Sequence, residues 1–343
     1  MLFHFKNDYC ESAHPALLQA LMATENEQNN AYGEDIHCDA ARAAIKNTIK
    51  ESNVDIHFFP GGTIANLTLI AHALRPYQAV IAPDTAHINT HETGAIEATG
   101  HKVIGVPSPD GKLTPDMIKP VLVQHCDEHW VYPKMVYISN TTELGTFYTK
   151  QELTDLSAFC RKHDLLLYLD GARLAMGLTA EGNDLAWEDL PKLTDAFYIG
   201  GNKAGAFGGE AMVLVNDCLK PDFRFTMKQK GAIMAKGWYM GAQFTVLFED
   251  DLYLKLGAHS NEMAKQLNAV LEKAGFEFLA KSETNQLFPI IPDALAKKIS
   301  EHYSVLDCGS PKSGFTCLRF CTSWATKAEY IELLAQNLQK WAK

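Results

Sequence analysis

Residues 196–209 read AFYIGGNKAGAFGG: an apolar run, two glycines, an asparagine, then one lysine, Lys203, with only small residues beside it. Lysine is strongly hydrated and is seldom buried without a partner. Among small apolar neighbours its amine loses solvent, its pKa falls, and it becomes a nucleophile able to form a Schiff base. The surrounding glycines and alanines leave room for a flat ring against the backbone. Taken alone, Lys203 also fits an ordinary surface loop.

Four further groups carry chemistry. Asp170 closes the apolar run LLLYLD, where a carboxylate is poorly solvated and needs a partner. It is either a helix N-cap or an anion set against a heterocyclic nitrogen, which it keeps protonated. Arg173 can fork onto a carboxylate through two bonds; an internal Arg173–Asp170 pair is the alternative. PGGT at 60–63 joins a strand to a helix, so Gly61, Gly62 and the Thr63 hydroxyl offer an anion site at a helix N-terminus. A plain turn fits it too, and it matches neither the dinucleotide nor the P-loop fingerprint. His87 and His91, in HINTHE, stand at a metal-binding spacing, but without the H-E-x-x-H order or a third ligand. The reading adopted is one ring on a ligand, the other structural, and no metal. A phosphate turn, an anion for a ring nitrogen and an amine together answer the three distinctive parts of pyridoxal 5'-phosphate.

The elements that position these groups follow from the apolar pattern. Runs at 55–59, 79–83, 101–106, 135–139, 165–169, 196–199 and 210–215 predict seven strands alternating with helical segments, hence an α/β fold with a mostly parallel sheet. In the helix after PGGT, Ile64, Leu67, Ala71 and Leu74 are expected on one face. Several strands end on polar residues, and open α/β sheets bind ligands outside the carboxyl ends of their strands. Beyond residue 245, a long helical pattern, the strand candidates FEFL, LFPII and CLRFCTSW and a closing amphipathic helix predict a smaller α+β domain. The division expected is a large domain over 1–245, including the N-terminal segment, and a small one over 246–343.

Composition narrows the partners. At 343 residues the chain suits one large domain plus a smaller one. A net charge of −10 argues against nucleic acid, which needs clustered Lys and Arg. No signal-like start or membrane-length apolar run is present, and Cys10, Cys38, Cys126, Cys160, Cys218, Cys308, Cys317 and Cys321 form no C-x-x-C pairs. The expectation is eight reduced thiols in a cytoplasmic protein, with no membrane partner.

The ordered stretches FKNDY, AYGED, PGGTIAN, AHINTHETGAIE, DGARL, GGNKAGAFGGEA and LRFCTSW resemble, over nearly the whole chain, the threonine aldolase (β-eliminating lyase) family of fold-type I pyridoxal-phosphate enzymes. The resemblance implies a Schiff base on Lys203, Asp170 on the pyridinium nitrogen and His87 stacked on the ring. It implies Gly61, Gly62 and Thr63 at the phosphate, and Arg173 in the cofactor site. Asn7, Arg173 and Arg319 would grip the substrate carboxylate. It also implies a homodimer or homotetramer sharing its sites, with Tyr32, Lys228 and Lys236 as cross-subunit candidates. One departure stands out: where well-studied members carry a histidine after N-T, this chain has Thr142 followed by Glu143. A hydroxyl is a poor base, while Glu143 could serve if it faces the site.

The activity expected is cleavage of β-hydroxy-α-amino acids to glycine and an aldehyde. β-Elimination or transamination on the same cofactor is an alternative. A non-catalytic phosphate-ligand binder and a metallohydrolase on His87 and His91 are alternatives from other classes.

Overall fold

The computed structural model describes residues 3–341. A short strand, β1 (Phe3–His4), precedes seven longer ones: β2 (Asp55–Phe59), β3 (Gln78–Pro83), β4 (Lys102–Val106), β5 (Tyr132–Ser139), β6 (Leu166–Asp170), β7 (Ala196–Gly200) and β8 (Glu210–Leu214). These seven form one sheet in the order β2-β8-β7-β6-β5-β3-β4. The β3–β4, β3–β5, β5–β6 and β6–β7 pairs are parallel, and β8 runs antiparallel to β2 and β7. Every residue of β3, β6, β7 and β8 is buried. Both faces are covered, so these strands read as continuous apolar runs rather than alternating ones.

The anticipated strands are therefore present, and the helices between them cover the sheet. The helix Lys150–Lys162 starts on a capping box of Thr149 and Glu152, which satisfies two free N-terminal donors. The sequence reading has no element where two further helices stand, Pro15–Ala23 and Ile36–Ile49. The second begins on Asp35 and buries Cys38, Ala41, Ile45 and Ile49 along one stripe. The helix Gly62–Ala73 departs from its expected face: Ala65, Asn66, Leu69 and Ile70 are buried, while Ile64, Leu67 and Ala71 are half-exposed. Its polar residues, Thr63, Asn66, Thr68 and His72, are spread around the axis, so periodicity could not select a side. The inward side includes Asn66, which reaches polar groups under the sheet rim.

After the helix Leu252–Lys273 come β9 (Glu277–Phe278), β10 (Gln286–Leu287), β11 (Pro289–Pro292), β12 (Tyr303–Ser304), β13 (Leu306–Asp307) and β14 (Phe315–Cys321). LFPII is two strands, not one. Both follow the same antiparallel register on β14, and Pro289, lacking an N–H, falls at the break between them. The strand in CLRFCTSW stops at Cys321. The helix Ala328–Trp341 packs on this unit through Ile331, Leu334 and Leu338.

The N-terminus crosses to this unit. β1 pairs in parallel with β12, and Phe5 is buried in the small unit's core. From that anchor the chain turns back toward the large sheet, carrying Asp8 with it. Among the described residues, no helix is long and apolar enough to cross a membrane.

Candidate active site

The strands β2, β5, β6 and β7 end at one rim. Phe59 and Gly200, the last residues of β2 and β7, both pair with Glu210, the first residue of β8. Ser139 of β5 pairs with Asp170 of β6 beside them. A cavity of about 380 Å³ opens there, lined in part by Gly62, Thr63, His87, Asp170, Arg173 and Lys203. A second hollow of about 270 Å³ shares His87, Glu143, Arg173 and Lys203 with it and adds His91 and Arg319. Residues from 62 to 319 thus meet in two adjoining lobes.

Lys203 sits in a short 3-10 turn between Gly201 and the left-handed Gly205 (φ 88°), a conformation glycine adopts at no steric cost. Its side chain is half-buried, and among the described residues its amine has no ion pair or hydrogen bond. Loss of solvent and the nearby Arg173 charge hold its pKa below the usual lysine range, against the pull of Asp8, Asp170 and Glu143. Glu210 secures the turn by accepting from the Gly201 N–H (2.8 Å) and the Asn202 side chain (2.7 Å). Burial pushes the Glu210 carboxyl up to about 7.

Asp170 is 3% exposed. Its Oδ1 accepts from the Ala172 N–H at 2.9 Å, so it does tie down the turn that follows it. Its Oδ2 accepts from the Tyr137 hydroxyl and from Asn66 Nδ2 at 3.2 Å. The same Asn66 amide donates to Glu92 Oε1 at 2.8 Å, and Glu92 accepts from His87 Nδ1, also at 2.8 Å. A buried chain of hydrogen bonds therefore links the imidazole on one side of the cavity to the carboxylate at its base. Burial opposes a charge on His87, but Glu92, Asp170 and Glu143 outweigh it and raise its pKa. The His87 and His91 rings stack at 5.5 Å. No group of three His, Cys, Asp or Glu side chains among the described residues is placed to hold a metal.

Arg173 does not pair with Asp170. It forks onto Asp8, Nε to Oδ2 at 2.7 Å and Nη2 to Oδ1 at 3.1 Å. Both groups are buried, and Asn285 donates a further bond to Asp8 at 2.9 Å. Asn7, the expected carboxylate ligand, instead turns its Oδ1 to the Tyr9 N–H (3.1 Å) and the Cys10 thiol (3.0 Å), and it lines neither lobe. Within FKNDY it is Asp8, not Asn7, that meets Arg173. Arg319 lines the second lobe. It donates to the Lys6 carbonyl at 3.0 Å, and its Nε is buried without a partner.

Thr142 and Glu143 part company. The Thr142 hydroxyl turns inward to Thr146 Oγ1 at 2.7 Å and lines neither lobe. Glu143 lines both. Burial and the Asp170 charge push its pKa above the usual carboxylate range, against His87, Arg173 and Lys203. Tyr32, Lys228 and Lys236 lie outside both lobes, with the Lys228 ammonium 4.5 Å from the centre of the Tyr32 ring. Sequence reasoning passed over Asp8, Asn66, Glu92 and Glu210, although all four lie inside stretches it had marked.

The rim also fits a flat, phosphorylated cofactor. The helix Gly62–Ala73 starts on Gly61 with no side-chain cap, leaving its first N–H groups for an anion. A Cβ on Gly62 would lie 2.9 Å from the Tyr198 hydroxyl and fill the cradle. The Thr141 hydroxyl, in the cavity wall, is buried without a partner.

Comparison with known proteins agrees with this geometry. A sequence model of the β-eliminating lyase family matches residues 5–294. The low specificity L-threonine aldolase of Pseudomonas sp. (strain NCIMB 10558) is 31% identical over 347 residues, spanning 98% of this chain and 96% of that protein. The Pseudomonas aeruginosa protein of the same name is 29% identical over 343 residues, with the same coverage of 98% and 96%. A solved structure of Leishmania major threonine aldolase superposes with a TM-score of 0.98 at 47% identity, covering 99% of this chain and 100% of that one. Thermus thermophilus aspartate aminotransferase shares the fold, at a TM-score of 0.74 and 15% identity over 99% of this chain and 91% of its own. With its sheet order, its rim and its sequence all in agreement, the chain belongs to the threonine aldolases of the β-eliminating lyase family.

Proposed function

We propose that this chain is a pyridoxal-phosphate-dependent carbon–carbon lyase, a low-specificity L-threonine and L-allo-threonine aldolase that cleaves β-hydroxy-α-amino acids to glycine and an aldehyde. The observation that carries this reading is Lys203, an unpaired amine in one cavity with the Asp170 carboxylate and an uncapped helix N-terminus. The threonine aldolase relatives support the choice of reaction.

Lys203 would hold the cofactor through its aldehyde carbon, with Gly61, Gly62, Thr63 and the helix N-terminus on the phosphate. When bound, the cofactor supplies an electron sink for the pair released as the Cα–Cβ bond breaks. Asp170, held by Tyr137 and Asn66, would keep a proton on the cofactor's ring nitrogen. His87, oriented by Glu92, would lie against the cofactor. Arg319 takes the substrate carboxylate. Two of the Arg173 nitrogens are committed to Asp8, so Arg173 contributes chiefly positive potential and its remaining N–H groups. By fixing the carboxylate, Arg319 would orient the substrate's Cα–Cβ bond for cleavage. Glu143, in the wall of both lobes, removes the proton of the β-hydroxyl, and its raised pKa makes it a stronger base than an ordinary carboxylate.

We further propose that residues 1–245 hold the cofactor, while 246–343 bring Arg319 to the substrate, and that the enzyme is a cytoplasmic homodimer or tetramer. Exposed Tyr32, Ile36, Phe225 and Met234 support a subunit contact, and eight free cysteines support a reducing compartment. Product analysis tests the reaction. Offered threonine, allo-threonine, phenylserine, serine and cysteine, the holoenzyme should release glycine and aldehyde from the β-hydroxy substrates. Ammonia and a keto acid from serine or cysteine as the main products would replace this reading with β-elimination.

A further inference from the structure

The chain ends of the second lobe carry two cysteines that the reaction does not use. Cys308 follows β13 and lines the lobe beside Leu306 and Arg319. Leu306 pairs with Arg319 and Asp307 with Leu318, and just past β13 the chain sets Cys308 and Gly309 together against Cys317. The Cys308 N–H donates to the Cys317 carbonyl at 2.8 Å, and the Cys317 N–H to the Gly309 carbonyl, also at 2.8 Å. Facing residues of an antiparallel pair have Cα atoms about 4.5–5.5 Å apart, within the span that a disulfide bridges. Cys308 is exposed and Cys317 is buried, so one thiol meets an oxidant and the other waits behind it. The adjacent Cys317 thiol and the Arg319 charge favour the Cys308 thiolate over the opposing cost of burial.

We propose that Cys308 and Cys317 form a reversible disulfide under peroxide, and that this modification weakens amino-acid binding in the lobe that holds Arg319. The Cys308 thiolate attacks one oxygen of hydrogen peroxide, the O–O bond breaks, and a sulfenic acid and one water result. The Cys317 thiol then displaces the second oxygen as water, forming the S–S bond. Two thiols are oxidised and one peroxide is reduced to two waters. A dithiol reductant reverses the change by exchange. β13 is only two residues long, whereas β14 is paired along both edges. Drawing the two sulfurs together therefore moves β13 and the lobe wall formed by Leu306 and Cys308, leaving Lys203 and Asp170 on the large sheet undisturbed.

The effect on binding rests on the aldolase reading, but formation of the bond does not, so the two can fail separately. Holoenzyme treated with stoichiometric hydrogen peroxide is examined by intact mass and by non-reducing peptide mapping, then assayed with threonine. The expected result is a loss of two hydrogen masses, a Cys308–Cys317 linked peptide, reversal by dithiothreitol, and KM raised about fivefold or more with little change in kcat, the scale of a modest coupling between sites. Cys317→Ser should abolish both the cross-link and the rise in KM. Oxygen adducts on Cys308 without a cross-link, or a cross-link between other cysteines, would overturn the site. A linked Cys308–Cys317 pair with unchanged KM would overturn its control of the lobe.

Discussion

Asp8 and Arg173, 165 residues apart in the chain, face each other as a buried pair joined by two hydrogen bonds. β1 anchors the N-terminal segment on the small unit, and Arg173 follows β6 of the large one. The pair therefore joins both units across the candidate site. It also sets the charge that Lys203 meets.

Removing one partner of such a pair leaves a buried charge uncompensated, at a cost of about 3–5 kcal/mol. Asp8→Ala should lower unfolding stability by about that amount, measured by urea denaturation. Burial would raise the Asp8 carboxyl, but Arg173 and Lys203 together bring it from 3.8 to about 2. A carboxyl depressed on folding stabilises the protein above its unfolded pKa and loses that contribution as pH falls through the folded value. The wild type should shed this part of its stability between pH 3.8 and about 2, and Asp8→Ala should show no such segment.

Lys203→Ala removes the amine proposed to hold the cofactor. The protein should keep its far-ultraviolet circular dichroism and lose any visible band that borohydride bleaches. A variant with the wild-type visible spectrum would refute the assignment.

Glu143→Gln keeps the size of the side chain and removes the base. A general base contributes roughly 10²–10⁴ in rate, and kcat for threonine should fall on that scale while binding of glycine persists. The base acts when deprotonated, so wild-type kcat/KM should rise with pH through the Glu143 pKa. That limb lies above the ordinary carboxylate range because burial and Asp170 raise it. In Glu143→Gln the limb should disappear.

Arg319→Ala removes charge-assisted bonds that contribute about 1.5–3 kcal/mol each. KM for amino acids should rise roughly tenfold or more, with cofactor affinity unchanged by equilibrium titration. Equal loss of both would make Arg319 structural.

Gly62→Ala places a methyl group 2.9 Å from the Tyr198 hydroxyl, inside the cradle. Gly62 opens a helix, so its backbone tolerates alanine. Tyr198 is buried and must give way, so melting temperature without cofactor should fall modestly, while cofactor affinity measured by fluorescence titration falls further.

Much of this was legible in order along the chain. The strands β3, β6, β7 and β8 announced themselves because strands buried on both faces are apolar nearly end to end, and the polar residues near the strand ends marked the rim. Lys203, Asp170, His87 and Gly62 could be placed because each sits at or just beyond the end of a strand or at the start of the helix that follows it. The inward face of the helix Gly62–Ala73 could not, because its polar residues are spread around the axis and carry no directional signal. Thr142 and Glu143 are adjacent and both polar; only the fold of the turn shows that one hydroxyl closes on Thr146 while the carboxylate enters the cavity.

What the sequence determined by itself was the local chemistry: which residues carry amines, carboxylates and imidazoles, and which short segments hold them. What the tertiary structure alone decided was their partners. Arg173 meets Asp8 rather than Asp170, His87 reaches Asp170 through Glu92 and Asn66, and Cys308 lies against Cys317. Local periodicity follows from covalent neighbours a few residues apart, whereas these contacts depend on the route of the backbone between them. That route is set by the packing of the whole sheet and both cores, which no short window of residues encodes.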